Sequence, residues 1–386
     1  MDIQLMDKTY VANTYARFPL TIVRGKGSLV WDAQGKEYID LSTGIAVDTF
    51  GVADDEWITA VTRQLGTLQH MSNLFYTEPC AKLAQMLCER TGMKKVFFGN
   101  SGAEANECAI KTARKYAEDK KGREYCTIIT LKNSFHGRTI TTLAATGQDV
   151  FHKDFTPLTE GFVYAEPNNI ADLERLMKEN KCAAVMMEVV QGEGGVMPLD
   201  KDYVKAAERL CRENDVLLIC DEVQVGNGRS GMLYGYMNFG IQPDIVSTAK
   251  GLAGGLPLGA TLLGEKVKDV LGAGMHGSTF GGNPVCCAGA ISVLSRITED
   301  VLAGVRERAA YIKNTLEGAK GVVSVTGLGL MIGIKTEKDA SEVLAACREK
   351  GVIVIKAKDK VRLLPALNIP MDQLKAAVNV IRECCA

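Results

Sequence analysis

Three short stretches carry residues whose types and order suit one chemistry. Ile245-Val246-Ser247-Thr248-Ala249-Lys250-Gly251 ends an apolar run on a lysine with small, uncharged neighbours. Most lysines are solvated surface charges. One with weakened solvation has a lowered pKa and becomes an amine nucleophile. Val216 to Cys220 runs directly into Asp221-Glu222. A carboxylate at the C-terminal end of a buried strand lies where α/β sheets bind ligands, so Asp221 either caps a turn or holds a ligand's protonated nitrogen. Gly99-Asn100-Ser101-Gly102-Ala103-Glu104 follows Val96-Phe97-Phe98 and opens a helix. Ser101 and Glu104 have capping-box spacing, and Gly102 and Ala103 present amides at a helix N-terminus, a geometry that binds phosphate. A phosphate-binding helix start, an aspartate at one strand end and a lysine at another are the parts pyridoxal phosphate needs. The helix amides hold its phosphate, Asp221 keeps its ring nitrogen protonated, and Lys250 condenses with its aldehyde.

The elements that position these residues follow from hydrophobic pattern. Residues 21–41 read as short strands joined by turns at Gly25, Gly27 and Asp32 to Gly35. Trp57, Ile58, Val61, Leu65 and then Cys80, Leu83, Leu87 recur at helical spacing. Beyond them helices alternate with apolar runs at 96–98, 127–129, 183–187, 216–220, 245–247 and 260–263. None of the runs alternates apolar with polar, which predicts a largely parallel sheet buried on both faces. The expected fold class is α/β, with a large cofactor domain over 51–282 and a small α/β domain built from both chain ends, 1–50 and 283–386. No Pro/Ser-rich linker separates them, so a cleft between packed domains is expected.

Composition excludes several other classes. The chain has 386 residues, 46% of them hydrophobic, and 45 basic residues nearly balance 46 acidic ones. A net charge of -1 gives no global attraction to nucleic acid or an anionic membrane. The longest uncharged stretch, Val270 to Ser295, is broken by glycines and Pro284 and reads as loop plus helix rather than a membrane span. With no secretory signal visible at MDIQLMDKTY, the twelve cysteines are expected to be reduced in a cytoplasmic protein. Cys286-Cys287 and Cys384-Cys385 are adjacent and poorly placed to share a tetrahedral metal, so no metal site is expected. Gly226-Asn227-Gly228-Arg229-Ser230-Gly231 matches G-x-G-x-x-G, but the Gly-broken, aromatic stretch after it is no helix and no acidic residue ends a second strand about 20 positions on, as the fingerprint requires. A nicotinamide site is thereby disfavoured.

Across nearly its whole length the chain resembles the class III (subgroup II) pyridoxal-phosphate-dependent aminotransferases. The resemblance is carried by Asn13 to Pro19, Ser72 to Tyr76, Phe98 to Glu107, Ser134 to Thr139, Gln191 to Gly195, Asp221 to Gln224, Ala249 to Gly251 and His276 to Pro284. It implies the type I fold of these transferases and a homodimer with active sites at the subunit interface. Lys250 would shuttle the proton and Asp221 would pair with the ring nitrogen. Phe135 and Val223 would cover the two ring faces, Gln224 would meet the ring hydroxyl, and Ser101, Gly102 and Ala103 would take the phosphate. Thr279 would reach the phosphate in the neighbouring subunit. Arg138 would clamp a substrate carboxylate, with Tyr15 and Ser278 also at the substrate. Glu193 and Arg362 would form a pair that opens for 2-oxoglutarate, and His136 would be structural. The implied reaction moves a terminal amine to 2-oxoglutarate by a ping-pong course. The δ-amine of N-acetylornithine is the expected donor; ornithine, succinylornithine, succinyldiaminopimelate and 4-aminobutyrate are the alternatives. The chain departs from the family pattern at Gly51-Val52-Ala53-Asp54-Asp55, at Ala103 where Thr is usual, at Val189, and at Val225, Asn227 and Ser230.

Overall fold

The computed structural model describes residues 2–386. Its apolar runs form a seven-stranded sheet in the order Lys95–Gly99, Gly259–Leu263, Ile245–Thr248, Leu217–Asp221, Cys182–Met187, Thr127–Leu131, Phe162–Ala165. Gly259–Leu263 runs antiparallel to both neighbours, and the remaining strands share one direction. Successive side chains of a strand point to opposite faces. Leu217, Ile219, Ala184 and Met186 accordingly pack on one side with Ala109, Ile110, Ala113 and Tyr116 of the helix Gly102–Lys121. Leu218, Cys220, Val185 and Met187 join the larger core on the other. Both faces are covered, which is why the runs are continuously apolar.

Strands that run one way also end at one edge. The residues after Gly99, Leu131, Met187, Asp221 and Thr248 therefore gather there, and the antiparallel strand begins at the same edge, with Gly259 opposite Gly99. Every stretch singled out for chemistry leaves the sheet at this rim.

Two smaller sheets lie beside it. Ile22–Lys26, Leu29–Asp32 and Glu37–Asp40 form an antiparallel sheet that Val352–Ile353 extends in parallel, so residues from both ends of the chain share one sheet. Val322–Leu328, Met331–Thr336, Lys360–Leu363 and Ile355–Ala357 form an antiparallel sheet that carries Arg362. The helix Pro284–Arg296 packs on Asp55–Leu65 and Glu78–Thr91. Gly226 to Gly231 forms turns, not a helix start. Its buried Arg229 donates to the Pro365 carbonyl and its Arg229 carbonyl accepts from Leu330 N at 2.8 Å, joining the large sheet's loops to the C-terminal segment. All twelve cysteines are free, and all but Cys80, Cys88 and Cys126 are buried. Among the described residues no helix is long and apolar enough to cross a membrane.

Glu222, next to Asp221, is fully buried and accepts from Gly235 N at 2.6 Å and Tyr236 N at 2.8 Å. Burial still pushes its carboxyl up to about 8, against these two hydrogen bonds. A carboxyl raised on folding favours the folded state while neutral and loses that contribution as pH rises through the folded value. Stability should therefore decline between the ordinary carboxyl value of 4.5 and about 8. Glu222→Gln, which cannot ionise, should show a shallower fall in thermal midpoint over that range than the parent; parallel curves would contradict it.

Candidate active site

The rim of the large sheet encloses a cavity of about 630 Å³. Lys250, Asp221, Ser101, Gly102, Ala103, Phe135, Val223, Gln224, Arg138 and Tyr15 all line it. Glu193 and Arg362 stand behind Gln224. Ser278 and Thr279 do not line the cavity.

Asp221 is 4% exposed, and three groups converge on its carboxylate. Asn106 Nδ2 donates to Oδ2 at 2.8 Å, His136 Nδ1 lies 2.8 Å from the same oxygen, and Val223 N donates to Oδ1 at 3.0 Å. The carboxylate partner places the His136 proton on Nδ1, and its Nε2 is buried without a partner among the described residues. A buried carboxylate needs such donors, because charge removed from water is costly unless hydrogen-bonded.

Across the cavity the helix Gly102–Lys121 begins. Ser101 accepts from Glu104 N at 3.2 Å, while Glu104 reaches past the cap to accept from Asn100 N at 2.6 Å. Only the first half of the expected capping box forms, because the Glu104 carboxylate takes the amide one residue earlier. Gly102 and Ala103 occupy the first turn, where amides lack intrahelical acceptors, and they face the cavity. A Cβ on Gly102 would lie 2.6 Å from Val223 Cγ1, so the close approach of Val223 requires glycine there.

Lys250 has φ 45°, a left-handed conformation costing of order 1–3 kcal/mol for a side-chain-bearing residue. Burial lowers the pKa of its amine; Glu193 opposes that shift and Arg362 adds to it. Arg362, 2% exposed, donates from Nη1 to Glu193 Oε1 at 2.6 Å and to Gln224 Oε1 at 3.0 Å. Gln224 Nε2 closes the triangle to Glu193 Oε1 at 3.3 Å. Burial alone would raise the Glu193 carboxyl, but Arg362, Lys250 and Gln224 together outweigh it and the net shift is downward. A Cβ on Gly192 would come 2.3 Å from Gln224 Oε1, so this triangle also demands a glycine.

Arg138 is exposed, with its guanidinium 4.3 Å above the Phe151 ring and 5.5 Å above Phe135. Among the described residues it has no carboxylate partner, and it is free to take a ligand's. Ser278 Oγ accepts from Asn100 Nδ2 at 3.0 Å, just before the helix Gly102–Lys121. Thr279 is exposed at the surface.

Two residues at the site went unassigned in sequence. Asn106 is buried at 1% and donates to both Asp221 and the His136 carbonyl. A polar residue at helical spacing from Ala109, Ile110 and Ala113 was its signal. Glu188 is 5% exposed, accepts from Phe135 N at 2.8 Å and Gly192 N at 3.2 Å, and lines the cavity. Burial, opposed by His136 and reinforced by Asp221, holds its carboxyl well above the usual range. It follows an apolar strand just as Asp221 ends one.

Together these groups fit a flat, phosphorylated, aldehyde-bearing ring. Unpaired helix amides await an anion, a held carboxylate faces the opposite end, and a poorly solvated amine lies between.

A family model described as aminotransferase class III matches residues 10–385. The acetylornithine aminotransferase of Haemophilus ducreyi is 49% identical over 99% of this chain and 98% of its own length. The N-acetylornithine aminotransferase structure from Stenotrophomonas maltophilia superposes with a TM-score of 0.85 at 34% identity, covering 98% of this chain and 97% of that one. The ornithine aminotransferase of Toxoplasma gondii, in a structure with partial occupancy of PLP at its active site, gives 0.94 at 31% identity, covering 99% of this chain and 93% of that one.

Asn106→Leu removes a charge-assisted hydrogen bond of about 1.5–3 kcal/mol from Asp221. The dissociation constant of the apoprotein for pyridoxal phosphate, measured by absorbance titration, should rise about tenfold or more. An unchanged constant would show that the Asn106–Asp221 hydrogen bond does not contribute to cofactor binding.

Proposed function

The chain belongs to the class-III aminotransferase family, and from that premise we propose that this pyridoxal-phosphate-dependent aminotransferase moves the δ-amine of N-acetylornithine to 2-oxoglutarate, yielding N-acetylglutamate 5-semialdehyde and glutamate. The observation that carries the assignment is one cavity holding both a buried carboxylate with three donors and a lysine of weakened solvation. Identity to acetylornithine aminotransferases over almost the full chain supports the donor.

When bound, pyridoxal phosphate supplies an aldehyde to take up the amine and a protonated ring to draw electrons from the carbon that loses its proton. The protein's own groups do the rest. Gly102, Ala103 and Ser101 hold the phosphate at the helix N-terminus. Asp221, fixed by Asn106, His136 and Val223 N, keeps the ring nitrogen protonated. Val223 and Phe135 would flank the ring, and Gln224 would meet its hydroxyl. The Lys250 amine is held in a position to take the substrate proton and return it. Arg138 receives a substrate carboxylate in bidentate fashion, near Tyr15 at the mouth. The Glu193–Arg362 pair stays closed beside an amino donor and frees Arg362 for the second carboxylate of 2-oxoglutarate.

The functional unit of this reading is a homodimer. Leu74, Phe75, Tyr76 and Phe280 are all more than half exposed, and Asn73 Nδ2 joins their segments by donating to Ser278 O at 3.0 Å and Gly281 O at 2.9 Å. An exposed apolar patch of this kind marks an interaction surface. It would carry Ser278 and Thr279 to the partner's site. Free thiols throughout fit a reducing, cytoplasmic setting.

Purified protein assayed with 2-oxoglutarate against a panel of amino donors should give the highest kcat/KM with N-acetylornithine. A preference for ornithine, succinyldiaminopimelate or 4-aminobutyrate would overturn the donor. Lys250→Ala should fold and lose about 10²–10⁴-fold or more in kcat, as expected for a removed acid–base group; undiminished turnover would refute its role.

A further inference from the structure

The glycine-rich turn Gly226–Gly231 does not line the cavity, yet it reaches the residues just before Lys250. Asn227, 3% exposed, donates through Nδ2 to Thr248 Oγ1 at 3.1 Å and to the Ala249 carbonyl at 3.1 Å. From a separate segment Thr49, 2% exposed, donates its hydroxyl to the Gly251 carbonyl at 2.7 Å. The carbonyls before and after Lys250 are thus each held by a buried side chain, around a residue at φ 45°. A Cβ on Gly251 would fall 2.7 Å from Thr49 Oγ1 and 3.4 Å from Asn227 Cβ, so the two side chains close on the same few backbone atoms.

Both holds are anchored. Asn227 sits at φ 56°, which asparagine tolerates better than most residues, and the Thr49 carbonyl accepts from Leu367 N at 2.9 Å. Strained backbone persists only where its surroundings over-determine it. With no charge of their own, Asn227 and Thr49 do not set the field at the amine. That field comes from Glu193, Arg362, Asp221 and Glu188.

We propose that Asn227 and Thr49 are positioning residues for the Lys250 amine: by holding the flanking carbonyls they keep the lysine left-handed and fix where Nζ points. The proposal rests on the reading of Lys250 as the cofactor lysine. Neither residue lines the cavity, so releasing the clamp leaves its lining in place and misplaces the group that moves the proton. Displacements of about 1 Å cost on the order of 10²-fold in rate.

The test uses the holoenzyme and three variants. Asn227→Gly keeps a left-handed backbone and loses the donor. Thr49→Val keeps the shape and loses the hydroxyl, and Thr49→Ser keeps the hydroxyl. The first two should lower kcat about tenfold or more with KM within about twofold. They should also displace the pH midpoint of the visible lysine–cofactor absorption band, while Thr49→Ser stays close to the parent in both. Unmoved kcat and band midpoint would overturn the clamp, even with a lowered thermal midpoint. If one of the two donor-loss variants does not fold, the other decides alone. A parent band that survives in Lys250→Ala would overturn the lysine assignment and the clamp with it; a lysine-dependent band unmoved in the variants would overturn the clamp only.

Discussion

A carboxylate taken out of water keeps its charge only if hydrogen-bond donors replace the water, and the site is organised around meeting that condition at Asp221. The donors come from three places. Asn106 lies one turn into the helix Gly102–Lys121, His136 follows the strand Thr127–Leu131, and Val223 N belongs to the turn after Asp221 itself. They meet only because the parallel strands end at one rim and the helix packs on the face of the same sheet. The same helix begins with the free amides of Gly102 and Ala103. Fixing its position for Asp221 therefore also fixes where those amides face the cavity.

Two neighbouring buried acids have fewer donors than Asp221. Glu188 and Glu222 each accept two backbone amides, and burial still holds both carboxyls well above the usual range. Among the acids acting on the Lys250 amine, Asp221 and Glu188 contribute less than Glu193. Glu193 is balanced by Arg362, so Lys250 experiences a field that limits, without cancelling, the lowering of its pKa by burial. The near-zero charge of the whole chain says nothing about this local arrangement, in which a few buried charges face one cavity.

What could be read in the sequence were features announced by their immediate neighbours. Continuous apolar runs marked the large sheet, and the residues that terminate them, Asp221 and Lys250, stood out because a strand delivers its last residue to a rim. Glu188 carried the same signal after residues 183–187, and Asn106 interrupted an apolar helical face. Both were readable in principle. The strand Val322–Leu328 was obscured by its exposed, partly polar stretch, Val323 being 60% exposed. Asn227 and Thr49 could not be found this way. Thr49 and Gly251 are brought together by folding across much of the chain, and no local pattern shows that their atoms meet. The Gly226–Gly231 motif shows the converse: its spacing matches a dinucleotide loop, its context in the sequence argues against one, and a buried Arg229 with bonds to Leu330 and Pro365 makes it a brace between segments.

The central claim is that Asp221, held by its three donors, keeps the cofactor ring nitrogen protonated opposite Lys250. The most direct measurement is the ¹⁵N chemical shift of ring-labelled pyridoxal phosphate bound to the enzyme and to Asp221→Asn. The account predicts a protonated nitrogen at neutral pH in the parent and an unprotonated one in the variant. An unprotonated nitrogen in the parent, or protonation that persists in the variant, would contradict it.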